Sequence, residues 1–371
     1  MGLLTDTALT DRLLEHVAAG TTDLSDQVWR EPVEHYLAPD RLRAEVHGVL
    51  RRRFIAFCPS AALPEAGSFL ARTVAGVPLV ASRGRDGQVR VFRNSCRHRG
   101  TAVASGSGCA TSFVCPYHGW VYGSDGSLRH VPDEYGFPGL DRDSRGLVGV
   151  RVVERAGLVF AAQDPPYDGA DDLADLPDLV GGQTLRGHHE LTLQANWKVL
   201  VEGFLEGYHI KSTHRRTFFP FGYDNVNVIE TLGRHSRVTF PFRRIEALRE
   251  LPRPQRHLDG MVTVVYHLFP NVIVAQLSHH TTLVVLEPEA PDRTTMVTYQ
   301  LANPSTSEAA DRDAEFVEQG VAEDREMALS VQRGLATGAN EVLEFGRFEG
   351  AIAHFHRQLA ELLPATDRPS R

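Results

Sequence analysis

The sequence predicts an α+β protein, and three observations carry this. Short β-branched and aromatic runs separated by tight glycine-bearing turns fill residues 48–165, which reads as a small all-β domain. Longer alternating runs recur between about residue 235 and residue 302, as expected of an antiparallel sheet. Both ends of the chain carry helical periodicity instead. With 371 residues, 42% hydrophobic and 23% charged, the chain has the make-up of a globular protein with a full core. A net charge of −8 gives no reason to expect nucleic acid or an anionic membrane as partner. No apolar run approaches the roughly 20 residues of a membrane span. The N-terminus lacks the basic start and apolar stretch of a secretory signal, so a cytoplasmic location is expected.

In chain order, residues 1 to about 45 are expected to be helical, with Leu13, Leu14 and Val17 at helical spacing. Three hairpins follow, turning at Asp86-Gly87, at Asp125-Gly126 and at Arg155-Ala156-Gly157. The Pro- and Asp-rich stretch 164–180 reads as a surface connection. One helix is then expected over "NWKVLVEGFLEGYHIKSTH" (196–214), followed by five strands and a helical C-terminal region beginning near Ser307, where Glu308 and Asp311 suit a helix start. The expected boundaries are a helical segment 1–47, a β domain 48–165 and a sheet-plus-helix domain 166–371.

Four cysteines are present, and two fall in "NSCRHRG" and "FVCPYHGW". Cys96 and His98 form C-x-H; after sixteen intervening residues Cys115 and His118 form C-x-x-H. Each half puts one thiolate and one imidazole on a tight loop. Zinc accepts a Cys₂His₂ set, and so does a two-iron cluster that takes two cysteines on one iron and two histidines on the other. Ligand order separates them: a zinc finger pairs cysteine with cysteine and histidine with histidine, whereas here each loop carries one of each. Spacing, flanking residues and the following Gly-Trp resemble the motif of Rieske [2Fe–2S] domains. Arg97 stands where many relatives carry proline. Cys58 and Cys109 are expected to be inert.

His209 and His214 are five apart, with Glu206 three residues before the first. On a regular helix this spacing turns the imidazoles about 140° from each other, so a shared metal needs a helix that bends or ends between them. By itself the pattern is also that of a polar helix face. Residues 196–214, however, resemble the iron-site helix of Rieske non-haem iron oxygenases. The resemblance implies His209 and His214 as ligands of a mononuclear Fe(II), and a helix that breaks or widens just after His209. It implies Asp324, in "VAEDREMALSVQRGL", as the third ligand in preference to Glu323 or Glu326. It further implies Glu206, usually aspartate in the family, as the bridge from His209 to His118 of a neighbouring subunit. Glu202 is either a proton-relay carboxylate or solvent-exposed. Asn196, Trp197 and Lys198 are expected to pack and support, Tyr208 to pack, and Lys211 to face solvent.

The same resemblance implies the catalytic alpha component of a Rieske oxygenase, with an all-β Rieske domain and a catalytic domain whose antiparallel sheet is packed by long helices in a helix-grip, START-like manner. It would use O₂ to hydroxylate or oxidatively demethylate a small organic substrate, as a monooxygenase; cis-dihydroxylation of an aromatic ring is the alternative within the family. A Rieske electron-transfer protein with a ligand-binding domain and no second iron is the alternative from another class. No G-x-G-x-x-G lies between a strand and a helix, and too few cysteines remain for a plant-type cluster, so a separate NAD(P)H-dependent reductase, with or without a ferredoxin, is an implied partner. Electron transfer between subunits, as the resemblance implies, goes with a homotrimer or a multiple of it, a head-to-tail ring compatible with cyclic symmetry. Residues 342–356 resemble the tail of members acting on choline- or carnitine-like substrates. Phe218, Phe219, Phe221, Tyr223, Tyr266 and Phe269 are candidates for an aromatic pocket, and His279 and His280 for cavity-facing positions.

Overall fold

The computed structural model describes residues 2–304 and 307–363. It divides into two compact units, one made of Arg51–Ala170 and Pro177–Gly181, the other of Met1–Leu50, Asp171–Leu176 and Gly182–Arg371. The α+β class expected from sequence is the class observed.

The smaller unit is all β, in three antiparallel sheets. One orders Arg151–Arg155, Leu158–Ala162 and Ile55–Pro59; the second orders Val89–Arg93, Val77–Arg83, Ser68–Val74 and Ser107–Cys109; the third orders Ser112–Val114, Val121–Gly123 and Leu128–His130. The three hairpins form where the turn residues put them. Ala156 and Gly157 both take positive φ, 55° and 78°, as the mirror-image turn between twisted strands requires. Gly126, at φ 84°, has a second constraint: a Cβ there would run into the Phe92 ring. Val80, Phe92, Phe113, Trp120 and Tyr122 form the core against which Cys96 and Cys115 are buried.

The larger unit is built on a seven-stranded antiparallel sheet, in the order Thr184–Leu193, Arg293–Ala302, His280–Ala290, Val272–Leu277, Val262–Leu268, His235–Pro241, Val228–Leu232. The five central strands are those expected from alternation; the two edge strands were not expected. Thr184–Leu193 is largely exposed and holds Gly187 at a register shift, so it offers no apolar pattern to read. The consequence is topological. The segment 194–227 leaves one edge of the sheet and must reach the other, so it crosses a sheet face, and it carries His209 and His214 with it.

The termini depart from the helical expectation. Asp6–Ala19 is a helix, capped by the Thr5 side chain and by Gly20 at φ 61°. Trp29–Pro32, however, is a strand that pairs with Val342–Phe345, which was expected to be helical as well. Four-residue strands are too short to show a period, and each has its backbone partner only at the other end of the chain. The C-terminal helices are Ser307–Leu335 and Gly350–Leu362; the second buries Ala351, Ile352, Phe355 and Leu359 along one stripe.

The Asn-Trp-Lys triplet opens the site segment by fixing a helix start. Asn196 caps Trp197–Glu202 by accepting from the Lys198 amide at 2.9 Å, and its Nδ2 donates to the carbonyls of Tyr36 and Pro291. Lys198 is fully buried, and its ammonium meets both oxygens of Glu45 at 2.9 Å. Glu45 also accepts from Trp197 Nε1 and Arg41 Nε, so the buried charges are paired and hydrogen-bonded. Among the described residues no helix is long and apolar enough to cross a membrane.

Candidate metal centres and cavity

In the β unit, the two Cys/His loops are copies of one design. The Cys96 amide donates to Thr101 O and the Gly100 amide to Cys96 O; the Cys115 amide donates to Trp120 O and the Gly119 amide to Cys115 O. Gly100 and Gly119 take φ 85° and 69° at the same loop position. Both thiols are buried and neither forms a disulfide. The His98 and His118 ring centroids lie 4.6 Å apart, so both imidazoles come to one place. His98 stacks on Trp120, and its buried Nδ1 finds no hydrogen-bond partner among the described residues. Burial, then the charges of His118 and Arg99, keep its pKa below the ordinary value, which favours the neutral, ligand-competent ring. Tyr122 OH sits 3.2 Å from Cys96 Sγ and accepts the Arg97 amide at 2.9 Å, so its own proton is free to point at the sulfur. Two thiolates and two imidazoles on paired loops, with an orphaned ring nitrogen, fit a [2Fe–2S] cluster. Cys58 is a different case: burial pushes its thiol up to about 12.

In the larger unit, the helix expected over 196–214 ends at Glu202, before His209 rather than just after it. The chain closes through tight turns at Phe204 and Leu205 and resumes as a single helical turn, Ile210–Thr213. Glu206 then shapes the segment that follows. It is not on a helix face one turn before His209. Its carboxylate accepts the backbone amides of Tyr208 and His209, which diverts them from the continuing helix. His209 and His214 therefore flank one turn and can converge.

They do converge. His209 Nε2 and His214 Nε2 are 3.1 Å apart, and Asp324 Oδ1 lies 3.4 Å from the first and 2.9 Å from the second. Among the described residues these three form the one group of at least three His, Cys, Asp or Glu side chains whose ligand atoms crowd together. Metal–nitrogen bonds of about 2.0–2.1 Å at roughly right angles would separate two ligand nitrogens by about 3 Å. Two imidazoles and one carboxylate on one side of a point match the 2-His-1-carboxylate pattern with open positions opposite. Burial works against the Asp324 charge, but hydrogen bonds from His209 and His214 outweigh it and hold its pKa below the ordinary value.

Each histidine is oriented from behind. Glu206 Oε1 contacts His209 Nδ1, and Glu323 Oε2 lies 2.8 Å from His214 Nδ1 while also accepting from Thr217 Oγ1 at 2.6 Å. Both Nε2 atoms are thereby turned toward Asp324. Glu323 thus stands behind a histidine rather than beside it. Its role was invisible in sequence because four polar residues in a row on a helix show no preferred face.

Glu202 is buried, not solvent-exposed. Its Oε1 accepts from Tyr36 OH at 2.7 Å and lies 2.8 Å from His356 Nε2. His356 Nδ1 is 3.4 Å from Glu31, which contacts His35 Nδ1 at 2.6 Å and accepts from Trp29 Nε1. Glu349 is half-buried near this chain; burial first, then the charges of Glu206 and Glu202, raise its pKa to about 7. No local motif marks Glu31, Glu349 or His356.

His209, His214 and Asp324 stand at the wall of a cavity of about 130 Å³ whose other surfaces are mainly apolar, among them Phe204, Phe218, Phe240, Val265 and Phe316. Of the expected aromatics, Phe218 and Tyr223 line it, whereas Phe269 packs on His267 and Phe355 in the core. His279 and His280 do not line it; His280 bonds Thr282, which does.

Two family models match the chain. One, described as the Rieske [2Fe-2S] domain, covers residues 53–140; the other, described as the ring hydroxylating alpha subunit (catalytic domain), covers residues 183–365. The chain belongs to the Rieske oxygenase family, as a ring-hydroxylating-type alpha subunit. Among relatives of this chain, the carnitine monooxygenase oxygenase subunit of Escherichia coli (strain K12) is 34% identical over 200 residues, 51% of this chain and 53% of the relative. The chain thus spans about half the length of that relative. The chloroplastic choline monooxygenase of Spinacia oleracea is 27% identical over 327 residues, 81% of this chain and 71% of the relative. The fold is similar to the crystal structure of the quaternary ammonium Rieske monooxygenase CntA in complex with an inhibitor, with TM-score 0.80 at 21% identity over 98% of this chain and 100% of that one.

Proposed function

We propose that the chain is the terminal oxygenase component of a Rieske non-haem iron system and acts as a cytoplasmic monooxygenase that hydroxylates or oxidatively demethylates a small organic substrate. The observation that carries this is the meeting of His209 Nε2, His214 Nε2 and Asp324 Oδ1 at an apolar cavity, in a chain whose other unit presents the paired Cys/His loops. Cys96, Cys115, His98 and His118 would hold the cluster; His209, His214 and Asp324 would hold one Fe(II). When bound, the cluster supplies electrons singly and the ferrous ion supplies the open positions for dioxygen. Glu206 and Glu323 fix the tautomer of the two histidines. The phenylalanines exclude water and place the substrate. The monooxygenase reading is supported by the names of the carnitine and choline relatives.

Electrons would come from a separate NAD(P)H-dependent reductase, with or without a ferredoxin, and would cross between subunits of a homotrimer. In that assembly Glu206 links His209 to His118 of a neighbouring copy. Glutamate in place of the family's usual aspartate makes this bridge one methylene longer.

Nitric oxide, a dioxygen surrogate for ferrous iron, tests the reading. Reduced, iron-replete protein is expected to give the electron paramagnetic resonance signal of a mononuclear ferrous nitrosyl, absent in His209→Ala while the cluster signal persists. An iron-replete wild type with the cluster signal alone would make the chain an electron carrier.

A further inference from the structure

We infer that the substrate carries an anionic group on the end remote from the reacting atoms, and that Arg243 and Arg244 receive it. This deepens the oxygenase reading and rests on it.

The walls of the inner cavity do not suit an anion. Among its described lining residues there is no lysine or arginine, and its carboxylates, Glu206 and Asp324, flank the histidine pair. Away from the ion that His209, His214 and Asp324 would hold, an anionic group there would lose water without gaining a partner. A second chamber of about 300 Å³ borders the first, and Phe242, Leu277 and Phe316 line both. That outer chamber is lined by both Arg243 and Arg244 against one carboxylate, Asp313, which already accepts the His279 amide at 3.2 Å.

The two guanidiniums are held but not neutralised. Arg244 lies 4.8 Å over the ring of Phe242, which is itself part of the shared wall. Arg243 lies 5.3 Å over Phe219 and 5.1 Å over Tyr223, and donates to Phe219 O at 3.4 Å. Among the described residues neither has a carboxylate partner, whereas Arg234, Arg237, Arg253, Arg256, Arg293 and Arg325 are all ion-paired. A guanidinium stacked on a ring is pre-organised and keeps its in-plane donors for a planar anion. The apolar head of such a substrate would fill the inner chamber. A neutral ring and a trimethylammonium group both suit phenylalanine walls, the latter through cation–π attraction.

Calorimetric titration of the full iron-loaded chain with two probe pairs tests this: phenylbutanoate against phenylbutanol, and γ-butyrobetaine against choline. In at least one pair the carboxylate-bearing member is expected to bind about tenfold tighter. Arg244→Gln should remove most of that advantage and leave the carboxylate-free member unchanged, while Arg244→Lys retains part of it. The pair that responds identifies the head group. Equal binding within both pairs, no binding by either carboxylate, or an advantage that survives in Arg243→Gln/Arg244→Gln would overturn the inference. Iron content and the cluster spectrum, read on the same samples, report separately on the oxygenase reading, because binding needs no turnover.

Discussion

His209 and His214 face each other through Nε2 at 3.1 Å, and the opposite nitrogen of each ring is held by its own carboxylate, Glu206 for one and Glu323 for the other. The pair is therefore aimed before any ion arrives. Glu323→Ala is expected to weaken iron retention about 10–100-fold, the usual effect of losing such a support, without unfolding the protein. Iron loss to a competing chelator measures it. Retention equal to wild type would show that His214 is oriented by something else.

Gly320 lies inside the helix Ser307–Leu335, where replacing glycine by alanine normally gains up to about 1 kcal/mol. Here the steric term opposes and should win. A Cβ at Gly320 would overlap the ring of Phe218, whose centroid is 4.6 Å from that of His214. Gly320→Ala is expected to lower the thermal midpoint and disturb the mononuclear site. A raised midpoint with intact iron binding would show that Phe218 moves aside freely.

The chain Glu202–His356–Glu31 gives stability a defined pH dependence. Burial lowers the His356 pKa, but the hydrogen bond with Glu202 and the nearby Glu31 carboxylate outweigh it and raise it to about 9, from an ordinary 6.5. A raised folded-state pKa means that its stabilisation, roughly 3 kcal/mol at most, is complete below pH 6.5 and lost as pH rises through 9. Thermal midpoints measured from neutral to alkaline pH should fall across this window in wild type and much less in Glu31→Gln/Glu202→Gln. Equal slopes would remove His356 as the titrating group.

Tyr122 directs its hydroxyl at Cys96 Sγ because the Arg97 amide already occupies it as an acceptor. A hydrogen bond to a thiolate ligand stabilises the reduced, more negative cluster. Tyr122→Phe is expected to lower the reduction potential by on the order of 60 mV, the one-electron equivalent of one such bond. Protein-film voltammetry measures it; an unchanged potential would show that the hydroxyl points elsewhere.

What was legible in the sequence follows how far each residue's partner lies along the chain. Cys96 with His98 and Cys115 with His118 are local pairs on hairpin loops, and loop chemistry is written in a few adjacent residues. Asp324 stands 110 positions beyond His214, so only resemblance pointed to it. The early helix end was hidden because apolar spacing continues through Phe204 and Leu205, although their amides already turn back three residues, to Val201 and Glu202. The strand Trp29–Pro32 and the Glu31–His356 contact both join the two ends of the chain, and neither end shows a period that announces the other. Arg243 and Arg244 read as ordinary surface arginines until the two chambers are seen to share Phe242.

Iron and acid-labile sulfide counted in wild type and in Asp324→Ala test the central claim most directly. The account predicts about three irons and two sulfides per wild-type chain, and about two irons and two sulfides in the variant, with the Rieske spectrum unchanged. Two irons in both proteins, or a third iron that survives the substitution, would contradict it.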